Sequence, residues 1–173
     1  MFLKLIGSIL VITASSLLGF IISSDYARRP SQLRTIKTML QVFENEIYFM
    51  SSILHEALEK AGKAGDNEAA LIFTRASENM RKGTFSSTER AWAEAVKYCM
   101  PRTALDKEDE EILVSFGKIL GTTDIEGQVK NIRLLISHLE IQEKKAEESR
   151  KRNEALFRNL GILGGFAIVI ILF

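Results

Sequence analysis

The chain is poor in the residues that build metal and redox sites. Its 173 residues include one cysteine, Cys99, and two histidines, His55 and His138. One cysteine cannot close an internal disulfide, so nothing points to an oxidising compartment. A structural zinc site takes about four Cys or His ligands at short spacings. The chain does not supply them, and we expect no metal and no cofactor. An excess of charge is also missing: 23 basic residues face 22 acidic ones, a net charge of +1. Nucleic-acid binders carry a basic excess on one face, so nucleic acid is not an expected partner. Two prolines and 11 glycines argue against low-complexity sequence. There is no G-x-x-x-x-G-K-[ST] loop to cradle a phosphate, no H-E-x-x-H and no G-x-S-x-G. We therefore expect no catalytic residues and no small-molecule substrate.

Apolar residues are plentiful, at 46% with a mean hydropathy of +0.05, and they collect at the two ends. Leu5 to Ile22 is 18 residues without a charge. As a helix it is ~27 Å long, close to a hydrocarbon core of ~30 Å. Its hydroxyls at Ser8, Thr13, Ser15 and Ser16 can bond back to helix carbonyls. The alternative is a cleaved signal peptide. A single preceding basic residue, Lys4, and a run longer than the roughly 7–15 residues of a signal core favour an uncleaved anchor. Leu160 to Phe173 is a 14-residue run of ~21 Å. It reads as a short second span extended by Leu156 and Phe157, or as an interfacial segment, with the span favoured. Gly161, Gly164 and Gly165 offer a flat face to a partner helix. Basic residues lie between the two runs: Arg28, Arg29, Arg34 and Lys37 after the first, and Lys144, Lys145, Arg150, Lys151, Arg152 and Arg158 before the second. The middle region should therefore be cytoplasmic.

Between the runs, helical periodicity dominates. Leu33, Ile36, Leu40, Phe43, Ile47 and Met50 recur at alternating spacings of 3 and 4, one stripe on one helix. Pro30 suits its first turn. A second helix starts at Ser51-Ser52, buries Leu54, Ala57, Leu58 and Ala61, and stops at Gly62 and Gly65. A third runs from Asn67 to Lys82 on Leu71, Ile72, Ala76 and Met80, with Gly83 as its stop. Ser86 and Glu89 form a capping box for a fourth that buries Trp92, Ala95, Val96 and Cys99 before Pro101. The acidic run Asp106–Glu111 opens a fifth, with Leu113, Phe116, Ile119 and Leu120 inside and Gly121 as its end. Thr123 and Glu126 box the sixth, which carries Val129, Ile132, Ile136 and Leu139. Beyond these it turns charged, with Glu140–Lys144, Glu147–Lys151 and Glu148–Arg152 as i, i+4 pairs. The expected fold is all-α: a six-helix bundle, readable as two three-helix halves, flanked by N- and C-terminal transmembrane helices. The expected parts are an anchor over 1–25, the bundle over 26–139, a solvated helical stalk over 140–158 and a C-terminal span over 159–173.

Chemistry is hard to find in this bundle. Cys99 lies on an apolar face and reads as a buried thiol rather than a nucleophile. His55 and His138 read as surface or half-buried side chains rather than bases. Glu108 to Glu111 reads as a complement to the helix dipole rather than a cation site. Polar residues without an obvious core role are left as partner-facing candidates. They are Arg28, Arg29, Gln32 and Arg34, and the turn at Gly121, Asp124 and Gln128. Arg28-Arg29 also suits lipid headgroups, at ~1 kcal/mol per basic residue.

The residues themselves resemble a family. Arg28 to Arg34 (R-R-P-S-Q-L-R), Glu44 to Tyr48 (E-x-E-I-Y) and Glu56 to Lys60 (E-A-L-E-K) are similar to the stage III sporulation protein AB family of endospore formers. So are Leu120 to Asp124 with Gln128 and Ile132 to Leu134, and the segment Leu160 to Gly165. Ser51-Ser52-Ile53 departs from a Thr-Pro-Leu type of helix start. The resemblance implies a helical domain like that of the inner-membrane platform protein of type II secretion and type IV pilus machines. It implies a place in a channel complex between mother cell and forespore, in the mother-cell membrane. The implied partners are other membrane subunits of that complex and a cytoplasmic secretion-type ATPase. The function expected is a non-enzymatic platform or scaffold subunit. The alternatives are a membrane-anchored signalling or sensor module, which lacks an effector domain, and an enzyme, which lacks catalytic residues.

Overall fold

The computed structural model describes residues 2–50 and 52–172, with side chains from Ile6 to Ile171. Ser51 and Phe173 lie outside the described residues, so Ser51 as a helix start is not addressed. Six α-helices follow in order: α1 (Phe2–Phe49), α2 (Leu54–Lys63), α3 (Ala70–Lys82), α4 (Thr88–Cys99), α5 (Lys107–Gly117) and α6 (Ile125–Leu172). A 3₁₀ turn over Met100–Arg102 links α4 to α5, and no strand occurs among the described residues. Two compact units form, one from Met1–Pro30 with Lys145–Phe173 and one from Ser31–Lys144. The helices α1 and α6, 48 residues each, contribute to both. The second unit thus holds six helical segments.

In the first unit the apolar stretches of α1 and α6 pack side by side. Tyr26 stacks on Phe157 at 5.6 Å. A Cβ on Gly19 would stand 2.7 Å from the Cα of Gly161, and one on Gly165 3.0 Å from the Cα of Ile12. The numbers rise along one helix as they fall along the other, so the pair is antiparallel. Close backbone approach needs small residues at the contact, which is what Gly161 and Gly165 provide. The Ser15 hydroxyl donates to the Gly161 carbonyl at 2.7 Å. Leu10, Leu17, Leu18, Leu163, Ile170 and Ile171 face outward and are exposed. Both helices are long and apolar enough to cross a membrane.

The second unit is built on the stripe read from the sequence. Leu33, Ile36, Leu40, Phe43 and Ile47 are buried, and Met39 joins them. Met50 is exposed, because α1 ends at Phe49. At the centre, the Trp92 indole N–H donates to the Leu113 carbonyl at 2.7 Å. Phe73 and Phe116 meet the indole edge-to-face at 5.3 and 5.5 Å, the geometry aromatic quadrupoles prefer.

Several helix ends differ from expectation. Pro30 lies inside α1, not in a first turn. Proline removes one helix hydrogen bond, but its fixed φ is helical, and apolar faces on both sides carry the helix through. The α2 N-cap is Ile53 without a side-chain cap, because the Ser52 hydroxyl donates to Glu46 instead, at 2.8 Å. Gly62 is not a stop: it sits inside α2, where a Cβ would meet Thr74 Oγ1 at 2.7 Å. The third helix begins at Ala70, after a turn in which Asn67 Oδ1 accepts from the Ala69 amide at 3.1 Å. This turns Phe73 inward and leaves Leu71 exposed. Ser87, rather than Ser86, caps α4 and accepts from the Arg90 amide. Asp124, rather than Thr123, starts α6, with Oδ1 accepting from the Gly127 amide at 2.9 Å. Asp106 and Asp109 make a reciprocal capping box on α5.

The segment from 140 is not solvated on all sides. Gln142 and Ala146 are buried. Glu140 lies 3.7 Å from Lys37, and Glu147 and Glu154 lie 3.6 and 2.9 Å from Arg150.

Candidate partner-binding surfaces

The sequence-derived candidates scatter over the molecule, and several have internal work. Gln32 is 1% exposed. Its amide donates to Glu68 at 3.1 Å and accepts from the Ala104 N–H at 2.7 Å. Gln32 therefore ties α1 to two loops and is not on the surface, which corrects its assignment as partner-facing. Arg28 lies 3.4 Å from Asp25 in the first unit, where Arg29 is half-buried.

Arg34 is exposed and belongs to a clamp. Its Nε and Nη2 reach Glu143 Oε1 at 3.0 and 2.9 Å, and the Lys37 ammonium reaches Oε2 at 2.8 Å. Burial pushes the Glu143 carboxyl up, but hydrogen bonds and charge from Lys37 and Arg34 outweigh it and hold it below its ordinary value. This clamp joins α1 to α6.

The turn between α5 and α6 gathers the other candidates. Gly121 takes φ +77°, a left-handed conformation that glycine adopts without a steric penalty. Asp124 caps α6, and the Gln128 amide donates to the Thr123 carbonyl at 3.1 Å. Gly121 and Gln128 line one hollow of about 330 Å³ with Ile47, Leu54, Thr88 and Ile125. A neighbouring hollow of about 340 Å³ lies among Tyr48, Glu126, Val129, Lys130 and Arg133. Arg133 is held there by Glu44 at 2.8 Å. Exposed Tyr48 and Phe49 end α1, exposed Met50 and Ile53 follow it, and Ile125 opens α6. Phe49 is 73% exposed. Clustered exposed aromatic and aliphatic side chains of this kind mark interaction sites.

A second feature was missed in the sequence. Tyr98 on α4 receives two guanidinium groups: Arg75 from α3, 3.5 Å from the ring centroid, and Arg102, at 5.0 Å. The Tyr98–Arg102 spacing of four was a local signal. Arg75 lies too far along the chain to be linked by periodicity. Cys99 sits beneath them, buried. Burial pushes its thiol up, only partly opposed by the charges of Arg75 and Arg102, so it is held as the unreactive thiol. His138 is exposed, and the His55 carbonyl accepts from Ser77 at 2.7 Å. No group of three or more His, Cys, Asp or Glu placed to hold a metal occurs among the described residues.

Comparison with known proteins joins these features to one family. The family model for stage III sporulation protein AB matches residues 4–173. Stage III sporulation protein AB of Bacillus subtilis (strain 168) is 32% identical over 170 residues, which is 98% of this chain and 99% of that protein. A solved structure of stage III sporulation protein AB, 32% identical in sequence, superposes with a TM-score of 0.66 over 72% of this chain and 98% of its own. With the residue motifs, the all-helical bundle and the two long apolar helices all in agreement, this chain belongs to the stage III sporulation protein AB family.

Proposed function

We propose that this protein is a non-enzymatic platform subunit of a secretion-like channel complex in the sporulating cell. It sits in the mother-cell membrane around the forespore. One observation carries the reading. Two apolar helical stretches pack backbone to backbone through Gly19 and Gly161 and turn large aliphatic side chains outward, which suits a lipid surrounding. The basic residues on the inner flanks favour a cytoplasmic bundle. The exposed tip of Tyr48, Phe49, Met50, Ile53 and Ile125 then meets the cytoplasm, where a secretion-type ATPase docks.

Topology tests this reading. Glu94 on α4 is exposed and suits a reporter cysteine. A Cys99→Ser, Glu94→Cys chain is labelled with an impermeant maleimide in wall-stripped sporulating cells. Labelling only after permeabilisation is expected. Labelling of intact cells would put the bundle outside and exclude ATPase docking.

A further inference from the structure

We infer that the outward face of α6, just before its apolar stretch, binds the headgroups of anionic phospholipids through Lys151, Arg152 and Arg158. The inference rests on the membrane reading of the two apolar helices and names the lipid class met there.

The charges of this stretch are sorted by helix face. Glu147, Arg150 and Glu154 are half-buried, and Arg150 pairs with both acids, at 3.6 and 2.9 Å. Their spacing puts them on the side of α6 that carries Phe157, which stacks on Tyr26 of α1. Lys151, Arg152 and Arg158 are exposed. Among the described residues none of the three makes an ion pair or a hydrogen bond. The pairs Glu147–Lys151 and Glu148–Arg152 expected from the sequence do not form. On the α1 side, Arg28 lies 3.4 Å from Asp25, and Arg29 and Lys145 have partners. The free cations are therefore those of α6. Glu148 is exposed and unpaired beside them, so three cations against one acid leave the face positive.

The order along the helix matches a phospholipid from head to tail. Residues four or eleven apart share a helix face. Arg152 is followed on its face by Leu156 and Leu163, 47% and 63% exposed. Arg158 is followed on its own by Ile162, 41% exposed. Each guanidinium thus stands over outward aliphatic side chains, as a headgroup phosphate stands over its acyl chains. Depth agrees with this order. Arg158 lies ~3 Å of helix from the start of the apolar run at Leu160, and Arg152 and Lys151 lie ~12 and ~14 Å from it. Headgroups add roughly 5–8 Å on each side of the hydrocarbon core, and long basic side chains extend toward them. All three charges then stand within one Debye length, ~8–10 Å, of the lipid phosphates. A guanidinium fork also matches a phosphate in bidentate geometry. An acidic protein segment would meet the cations but not the aliphatic residues after them, which the bilayer covers.

The test uses the full-length chain reconstituted in phosphatidylcholine vesicles that carry a trace of spin-labelled lipid. Electron paramagnetic resonance reads the share of label held at the protein. At low salt, labelled phosphatidylglycerol should associate about fivefold more strongly than labelled phosphatidylcholine, the effect of one basic residue near an anionic surface. The preference should shrink in ~1 M salt, where the Debye length is ~3 Å. Lys151→Gln, Arg152→Gln and Arg158→Gln together should abolish it. Lys151→Arg, Arg152→Lys and Arg158→Lys together keep the charge and should keep the preference. No preference in the native chain, an undiminished one in the glutamine variant, or its loss in the charge-keeping variant would each overturn the inference. Flotation with pure phosphatidylcholine vesicles checks the membrane reading separately, since it needs the apolar helices and none of these charges. Failure of the native chain to float would overturn that reading and this one with it. Flotation without a preference for phosphatidylglycerol would overturn this one alone.

Discussion

Glu143 sits between two opposing influences, and the balance has a pH signature. Burial disfavours its charged form, while Lys37 at 2.8 Å and Arg34 at 2.9 Å favour it. The net effect lowers its pKa in the folded protein. A group whose pKa falls on folding stabilises the fold above its unfolded value, near about 4.3 for glutamate. That stabilisation is lost as pH drops through the lower, folded value. Glu143→Gln should therefore destabilise the bundle at pH 7 by ~1.5–3 kcal/mol, the range for hydrogen bonds to charged groups. The exposure of Arg34 holds it to the low end. Thermal melts followed by circular dichroism at pH 7 and pH 3 check this: the gap between variant and native protein should narrow at the lower pH. An equal gap at both would show that the amide disturbs packing rather than charge. Arg34 and Lys37 read as basic flanks and Glu140–Lys144 as a local pair, while the clamp across two helices leaves no local pattern. Gln32 shows the same limit more sharply. Its hydrogen-bond partners lie 36 and 72 residues away, so no local pattern marks it as a core residue.

Helices were legible where one strong stripe governed them. The α1 pattern from Leu33 to Ile47 lies buried as read, and α4 buries Trp92, Ala95, Val96 and Cys99, because alternating spacings of three and four leave one choice of face. Ends were less legible, since neighbouring residues compete for one cap. Ser86 and Ser87 are chemically equal, as are Thr123 and Asp124 in kind, and the register of the buried face decides between them. Glycine was ambiguous in the same way. Gly83 ends α3 in a left-handed conformation, φ +62°, with open space around it. Gly62 looks identical in sequence but lies where α2 presses on α3. A methyl group separates the two roles. Gly62→Ala should cost ~1–3 kcal/mol by overpacking against Thr74. Gly83→Ala should cost ~1–2 kcal/mol from backbone strain alone. Combining Gly62→Ala with Thr74→Ser, which keeps Oγ1 but removes a neighbouring methyl, should leave most of its loss in place. Combining it with Thr74→Ala, which removes Oγ1 and favours the helix, should relieve part of it, since the Thr74 backbone nitrogen still stands 3.1 Å from the new Cβ. Chemical denaturation of the four variants checks the order. Full recovery with Thr74→Ser would shift the clash from Oγ1 to the methyl group.

At the scale of the whole molecule, charge and hydropathy placed two apolar ends around a neutral bundle, and the structure groups those ends into one compact unit. Length alone left the second run undecided, since 14 apolar residues make only ~21 Å of helix. Pairing decides more than length. The Gly19–Gly161 contact and the Ser15 hydroxyl bond to the Gly161 carbonyl fix an antiparallel hairpin, so the two apolar stretches share one environment. Lipid is as apolar as leucine, and helices within it are held by close packing and a few polar bonds. A bulky residue at the crossing should therefore separate them. In a Cys99→Ser background, Ser15→Cys with Gly164→Cys is expected to form a disulfide on mild oxidation in membranes, since a Cβ at Gly164 has space and stands 3.7 Å from the Ser15 Oγ. Gly161→Leu should reduce that crosslink at least tenfold. The bundle has its own core around Trp92, so its fluorescence melting curve should be unchanged. Undiminished crosslinking in the Gly161→Leu protein would mean that this glycine does not set the crossing. A lost crosslink with an intact bundle would mean that the two apolar stretches are held together by their own contacts and not by the bundle.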